Sequence, residues 1–166
     1  MEDLPSDSKI VDAAFSTATN VVYMKIKVAD NAYRIYRTDA NYDTRRVYMQ
    51  ASNIGRIAVF YDEDIFFYDN VRTGDVFMFN GTEGGWRVIN PPGRYRLIGV
   101  DKDKDIYIAK VDEDDKALSV MQGRLGVGFE TVDTFATPQD LKDITVASIQ
   151  KTIEDKRSST GGDNKK

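Results

Sequence analysis

The sequence predicts a mainly β protein, built of antiparallel meanders and closed by one C-terminal α-helix. Short β-branched and aromatic runs recur along most of the chain, Asp, Asn and Gly turns punctuate them, and helical periodicity emerges only near the end. The clearest stretch is RIAVFYDEDIFFYDNVRTGDVFMFN, from Arg56 to Asn80. There Ile57 to Tyr61 and Ile65 to Tyr68 flank Asp62-Glu63-Asp64, and Val71-Arg72-Thr73-Gly74 reverses the chain before Asp75 to Phe79.

A chain of 166 residues suits one core. Its 41% hydrophobic and 30% charged residues are ordinary for a globular protein, and a net charge of −4 argues against a dedicated duplex-DNA binder. The chain has neither cysteine nor histidine. That removes disulfides, Cys/His zinc sites, His-ligated haem, thiol nucleophiles and every Ser-His mechanism, and no cofactor is expected. MEDLPSDSK lacks the apolar core of a secretory signal, and no window approaches the roughly 18 apolar residues of a membrane span. The expectation is a soluble chain, cytoplasmic or part of a virion.

Taken in order, residues 1–8 read as a flexible leader, 9–155 as one β-rich domain and 156–166 as a disordered tail. Ile10 to Ala18 reads as a strand turning at Thr19-Asn20. In VVYMKIKV, Val22, Met24, Ile26 and Val28 alternate with Tyr23, Lys25 and Lys27, the pattern of a half-buried strand; Ala29-Asp30-Asn31 turns it into AYRIYR, residues 32–37. Residues 38–44 form a polar loop, and Arg45 to Gln50 the next strand. After the Arg56–Asn80 meander, Gly81 to Gly85 reverse the chain, Trp86 to Ile89 extend it and Pro91-Pro92-Gly93 break it. Tyr95 to Val100, Asp105 to Val111 and Lys116 to Met121 make a further meander, and Leu125 to Thr131 one last strand. Thr137-Pro138-Gln139-Asp140 has the chemistry of a helix start, which predicts a helix over about 138–155. Its Val146, Ile149 and Ile153 share a face suited to docking on the sheet or on a partner.

Three segments share one grammar: VVYMKIKVADNAYRIYRTD, IAVFYDEDIFFYDNVRTGDVFMFNG and RLIGVDKDKDIYIAKVDEDDKALSVMQG. The second and third resemble the last three strands of a WD-type β-propeller blade. Tyr68-Asp69 stands where that family carries Trp-Asp, and residues 71–74 resemble its next turn; the family's Gly-His pair is absent. The resemblance, over residues 10 to 121, implies propeller-like blades. A closed propeller takes four or more blades, and three at most are present; any antiparallel meander with aspartate turns has the same grammar, and an up-and-down barrel or a sandwich would also fit. Repeat-bearing β segments of similar texture occur in phage tail and nozzle proteins, which implies a viral or other assembly component.

Candidate chemistry is sparse. Asp101, Asp103 and Asp105 form D-x-D-x-D, the opening of many calcium loops, although Ile106 stands where such loops carry glycine. A charged hairpin turn has the same composition. Arg34, Arg37, Arg45 and Arg46 interleave with Tyr33, Tyr36, Tyr42 and Tyr48, a combination that serves protein interfaces and can also stack on bases. Arg34 and Tyr36 fall on one face of their strand, and Tyr33, Ile35 and Arg37 on the other. The function expected is therefore a non-enzymatic structural or interaction protein with protein partners or self-association. The alternative is a β-barrel binding a small ligand or single-stranded nucleic acid.

Overall fold

The computed structural model describes residues 4–39, 46–80 and 85–163. Twelve strands among them form three antiparallel sheets, each made of four consecutive strands paired in chain order. The first holds β1 (Lys9–Ser16), β2 (Val21–Ala29), β3 (Ala32–Thr38) and β4 (Arg46–Ala51). The second holds β5 (Ile54–Val59), β6 (Ile65–Asn70), β7 (Asp75–Asn80) and β8 (Trp86–Val88). The third holds β9 (Tyr95–Val100), β10 (Ile106–Val111), β11 (Ala117–Arg124) and β12 (Gly128–Gln139). A short 3-10 turn (Leu141–Asp143) leads into helix α1 (Val146–Asp163).

The turns form where the chemistry favours them. Asp101 Oδ1 accepts the backbone N–H of Asp103 at 2.9 Å and of Asp105 at 3.0 Å, which frees Lys104 to take φ 67°. Asp112 does the same for Asp114 and Lys116, both at 2.9 Å, with Asp115 at φ 63°. Two acidic turns of one meander thus share one hydrogen-bond plan. At Gly74, φ is 76° and a Cβ would lie 2.5 Å from Arg94 Cγ, so glycine is needed for both conformation and space.

The sheets stack face to face. Ala14, Val21, Tyr23 and Ile35 of the first meet Ile54, Ile57, Val59 and Phe66 of the second. From the opposite face of the second sheet, Ala58, Ile65, Phe67, Val76 and Met78 meet Tyr95, Leu97, Ile106 and Ile108 of the third. The leading strands β1, β5 and β9 lie side by side along one flank, although they do not pair by hydrogen bonds. Among the described residues no closed barrel is formed. The repeated units are real, but their frame differs from the WD-type expectation: β5–β7 and β9–β11 are the first three strands of their sheets, and Tyr68-Asp69 closes a second strand.

The far face of the third sheet is covered by the C-terminal segment. Ile98, Tyr107, Ala109, Val111 and Val120 pack against Ile144 and Ile149, with Leu141, Val146 and Ile153 half-buried beside them. The docking face of Val146, Ile149 and Ile153 is used within the chain. The helix start expected near 138 is corrected: Thr137 and Pro138 belong to β12, an edge strand, where the missing proline N–H is tolerated. The cap is Thr145, whose Oγ1 accepts the Ser148 N–H at 3.1 Å while Ser148 Oγ accepts the Thr145 N–H at 2.9 Å. From that nucleus the helix propagates through the expected tail as far as Asp163.

Two outcomes follow for the helix. Gly99 faces Val146, and a Cβ there would come within 2.8 Å of Val146 Cγ2. Gly99→Ala should weaken docking, by about 1–3 kcal/mol as overpacking does, and Thr145→Ala by about 1 kcal/mol. Hydrogen exchange should quicken over residues 146–157 in both variants and stay unchanged in β5–β7; unchanged exchange in the helix would contradict the packing.

Candidate functional site

The Arg/Tyr strand is spent largely on holding the first two sheets together. Arg37 donates to Asp64 Oδ2 from Nε at 3.0 Å and from Nη2 at 2.7 Å, and Tyr23 gives its hydroxyl to Oδ1 of the same carboxylate. Burial by itself would lower the Arg37 pKa, but the hydrogen bond and charge of Asp64 raise it. Tyr33 packs against the inter-sheet core with Lys25 Nζ 4.6 Å from its ring centre. Tyr36 and Arg34 sit on the opposite face, Tyr36 buried there. Arg45 and Tyr42 lie outside the described residues, as do the side chains of Arg46 and Tyr48. The described members of this group therefore split across two sides of one sheet instead of converging on a ligand.

The three aspartates of D-x-D-x-D also do not converge. Asp101 Oδ1 is taken by its turn, its Oδ2 accepts Tyr107 at 2.9 Å and Gln150 at 3.2 Å, and Asp105 accepts Arg124 Nε at 2.7 Å. Among the described residues no three carboxylates come within reach of one cation. The motif scaffolds a turn and ties it to the helix. Burial and the Asp101 hydrogen bond push the Tyr107 hydroxyl up to about 12.

A second polar assembly lies between sheets two and three, and the sequence reading missed its role. Asp69 is fully buried on the inward row Ile65, Phe67, Asp69, where it accepts Arg96 Nε at 2.7 Å and the Leu97 N–H at 2.8 Å. Arg96 continues to Asp115. Burial pushes the Asp69 carboxyl up, against the pull of Arg96 and the Leu97 amide; Asp69 in turn helps hold Arg96 charged. Arg56 spans the same seam, donating to Ile98 O at 3.3 Å, Ile144 O at 3.1 Å and Leu141 O at 2.7 Å. Lys25, its pKa lowered by burial, donates to Gly55 O at 2.6 Å from the first sheet. The one signal for this assembly was a carboxylate on an otherwise apolar inward row.

The remaining candidate is the outward face of the first sheet. Register places Ile10, Ile26 and Arg34 in one row, Ala13, Met24 and Tyr36 in the next, and Phe15, Val22 and Thr38 in a third. All point away from the second sheet. The alternation in VVYMKIKV was read correctly, but the face that meets the second sheet is the one with Tyr23 and Lys25, while Val22, Met24, Ile26 and Val28 face the other way, Ile26 buried and the other three half-buried. Along β1, Ile10 is 62% exposed and Phe15 63%, with Val11 at the β-bulge also exposed. Fully burying such a side chain is worth about 1.5–3 kcal/mol, so leaving several uncovered on one strand marks a surface with a use. Elsewhere, clefts of about 480 and 430 Å³ flank the β11–β12 hairpin; Arg124, common to both, is already paired with Asp105.

No family model matches the chain, and no curated protein sequence does. Solved structures do match. One is a chain from the crystal structure of a nidogen/laminin complex, with a TM-score of 0.59 at 15% identity, covering 78% of this chain and 50% of that one. At this identity the likeness shows a shared arrangement of sheets, and the match takes in only half the length of the neighbouring chain. Within the described residues no helix is long and apolar enough to cross a membrane.

Two measurements test these roles. Asp69→Asn, the same in shape, removes one of the two carboxylates paired with Arg96 and should cost about 1.5–3 kcal/mol in urea unfolding; a loss under about 0.5 kcal/mol would show that the pair does not seat the sheets. Because Tyr107 keeps its proton in the folded chain to about pH 12 while the unfolded chain releases it near pH 10, folding stability should fall as pH rises through that window. Tyr107→Phe should flatten that fall, read as the urea midpoint at pH 9 to 11.5.

Proposed function

We propose that this chain is a non-enzymatic protein-interaction module whose first sheet takes a protein partner on its outward face, as the next layer of the stack. The observation that carries this reading is the exposure of Ile10 and Phe15, at 62% and 63%, beside the outward Val22 and Met24. Each internal sheet face in the molecule is buried against another layer, and the face at the opposite end is covered by α1. On the first sheet's outward face the β1 side is the part left open, since Ile26, Tyr36 and Thr38 of the same rows are already buried.

Two further points support it. The interior charges are committed to joining sheets: Arg37 to Asp64, Arg96 to Asp69, and Arg56 to three backbone carbonyls. A chain of the nidogen/laminin complex carries a related arrangement of sheets. A component of a larger assembly, viral or otherwise, is the concrete form this reading takes. The barrel alternative loses its scaffold in three separate sheets, and the inward packing of Arg37 and Tyr33 gives nucleic-acid binding no observation in its favour.

A photo-crosslinking residue at position 15 of the full chain should capture protein, whereas the same residue at position 151, on the exposed side of α1, should not. The reading is overturned if position 15 captures no protein, or if 151 captures as much.

A further inference from the structure

We infer that the cleft between the end of β8 and the β11–β12 hairpin is a binding site for a small organic carboxylate with an apolar body. It is separate from the first sheet's outward face, and neither reading depends on the other.

Strand register brings the first cation to this cleft. Phe67, Met78 and Arg87 are cross-strand partners in one row of the second sheet. Phe67 and Met78 are buried in the core shared with the third sheet, so Arg87 stands where that row reaches the edge strand. Arg87 is exposed, and its side chain has no ion pair or hydrogen bond among the described residues. The second cation comes from the third sheet. Arg124 ends β11 opposite Gly128 and donates Nε to Asp105 Oδ1 at 2.7 Å. That bond uses one nitrogen and tethers the side chain, which is 54% exposed; both Nη nitrogens are left without a partner among the described residues. Arginine offers a carboxylate paired N–H donors in a fixed fork. Here two arginines border one space of about 430 Å³.

The rest of the wall is apolar. Val88, Ile89, Leu125, Val127 and Phe129 complete it, with Val127 82% exposed at the hairpin tip. Ile89, Leu125 and Phe129 also pack on the core between the second and third sheets, which gives the cleft a fixed floor. A space of this size falls within the roughly 300–1,000 Å³ of small-ligand sites.

The hairpin makes two clefts of unlike charge. The one on its other side, of about 480 Å³, shares Arg124 but adds Asp105 and Glu130. Its described walls set two acids against one arginine, whereas those of the β8 cleft hold two arginines and no acid. An anion is drawn to the second and repelled from the first. The apolar wall then selects among anions. Inorganic phosphate would leave Val88, Leu125 and Phe129 wet, while an aryl or branched alkyl carboxylate covers them and keeps its head at the arginines.

Titration of the isotope-labelled full chain with phenylbutyrate, followed by backbone amide shifts, tests the site. Shifts should move at residues 87–89 and 124–129 and reach half-saturation at about 1 mM or below. Acetate, which has the charge without the body, and phenylbutanamide, which has the body without the charge, should each bind about tenfold more weakly or worse. Arg87→Gln alters an exposed, unpaired side chain and so leaves the fold intact; it should weaken phenylbutyrate about fivefold or more. Val127→Asp places a competing carboxylate at the tip and should abolish saturation. Lys151→Gln, the same change of charge on α1, should alter nothing. The inference is overturned if no shift saturates below about 10 mM, if the shifts map elsewhere, if acetate or the amide matches the acid, or if Arg87→Gln binds as the native chain does.

Discussion

A single buried carboxylate sets the relation between the second and third sheets. Asp69 sits with no solvent exposure on a row otherwise made of Ile65 and Phe67, and removing a charge from water costs several kcal/mol unless it is paired. Arg96 and the Leu97 amide answer that cost only if β9 lies at one height beside β6. A slip of β9 by one residue would leave the carboxylate facing an apolar side chain. The same demand shapes its surroundings. A Cβ at Gly55 would meet Asp69 Oδ1, so glycine is what lets β5 lie against the pair. Arg94 then fastens the preceding turn by donating to Arg72 O at 2.8 Å and Val71 O at 2.6 Å.

The seam between sheets one and two is built by different means. Tyr23, stacked on Phe66 at 4.5 Å, and Arg37 both converge on Asp64, which stands in the turn after β5 and not within a strand. Side chains 20% and 26% exposed share this ion pair, whereas Asp69 is wholly enclosed. Water can thus help solvate one seam and not the other. The difference follows the fold's polarity. The second-third seam carries the buried charge that fixes register, and the first sheet is held by a partly wet contact at one end of the stack.

How much of this was legible depends on whether local chemistry or tertiary placement decides it. Period-two runs, Asn and Gly turns and the aspartate hairpins are local, and the expected strands correspond to the twelve that form. Which side of a strand meets the stack is not local. Val22, Met24 and Val28 looked like a core face because apolar alternation marks burial in a one-layer reading. In a stack of sheets both faces need partners, and Tyr23 wins the inner one because its ring stacks on Phe66 while its hydroxyl reaches Asp64. The helix start failed for a related reason. Thr137-Pro138 and Thr145 both offer a cap, but Ser119 and Ala117 extend their ladder to Thr134 and Gln139, and strand pairing through Gln139 removes the earlier option. Arg34, Arg37, Tyr33 and Tyr36 divide between the two faces of β3, a split that composition alone does not reveal, and none of the four is exposed.

Covering just one end has an energetic logic. The third sheet's outer face presents Ile98, Tyr107, Ala109 and Val120, all nearly fully buried once Ile144 and Ile149 lie on it. A helix of this length can bury an apolar strip and still face water with charge. On the first sheet the apolar strip instead runs along β1, the strand on the flank where β5 and β9 also lie. A cover there must be broad and apolar enough to meet Ile10 and Phe15 together, which span most of β1. A single amphipathic helix fits a strip, whereas a sheet can match a pleated face row by row, at the roughly 10 Å spacing of stacked sheets. On this face Ile26, Tyr36 and Thr38 are already buried, so the open part is the β1 side, where Ile10 and Phe15 stay exposed.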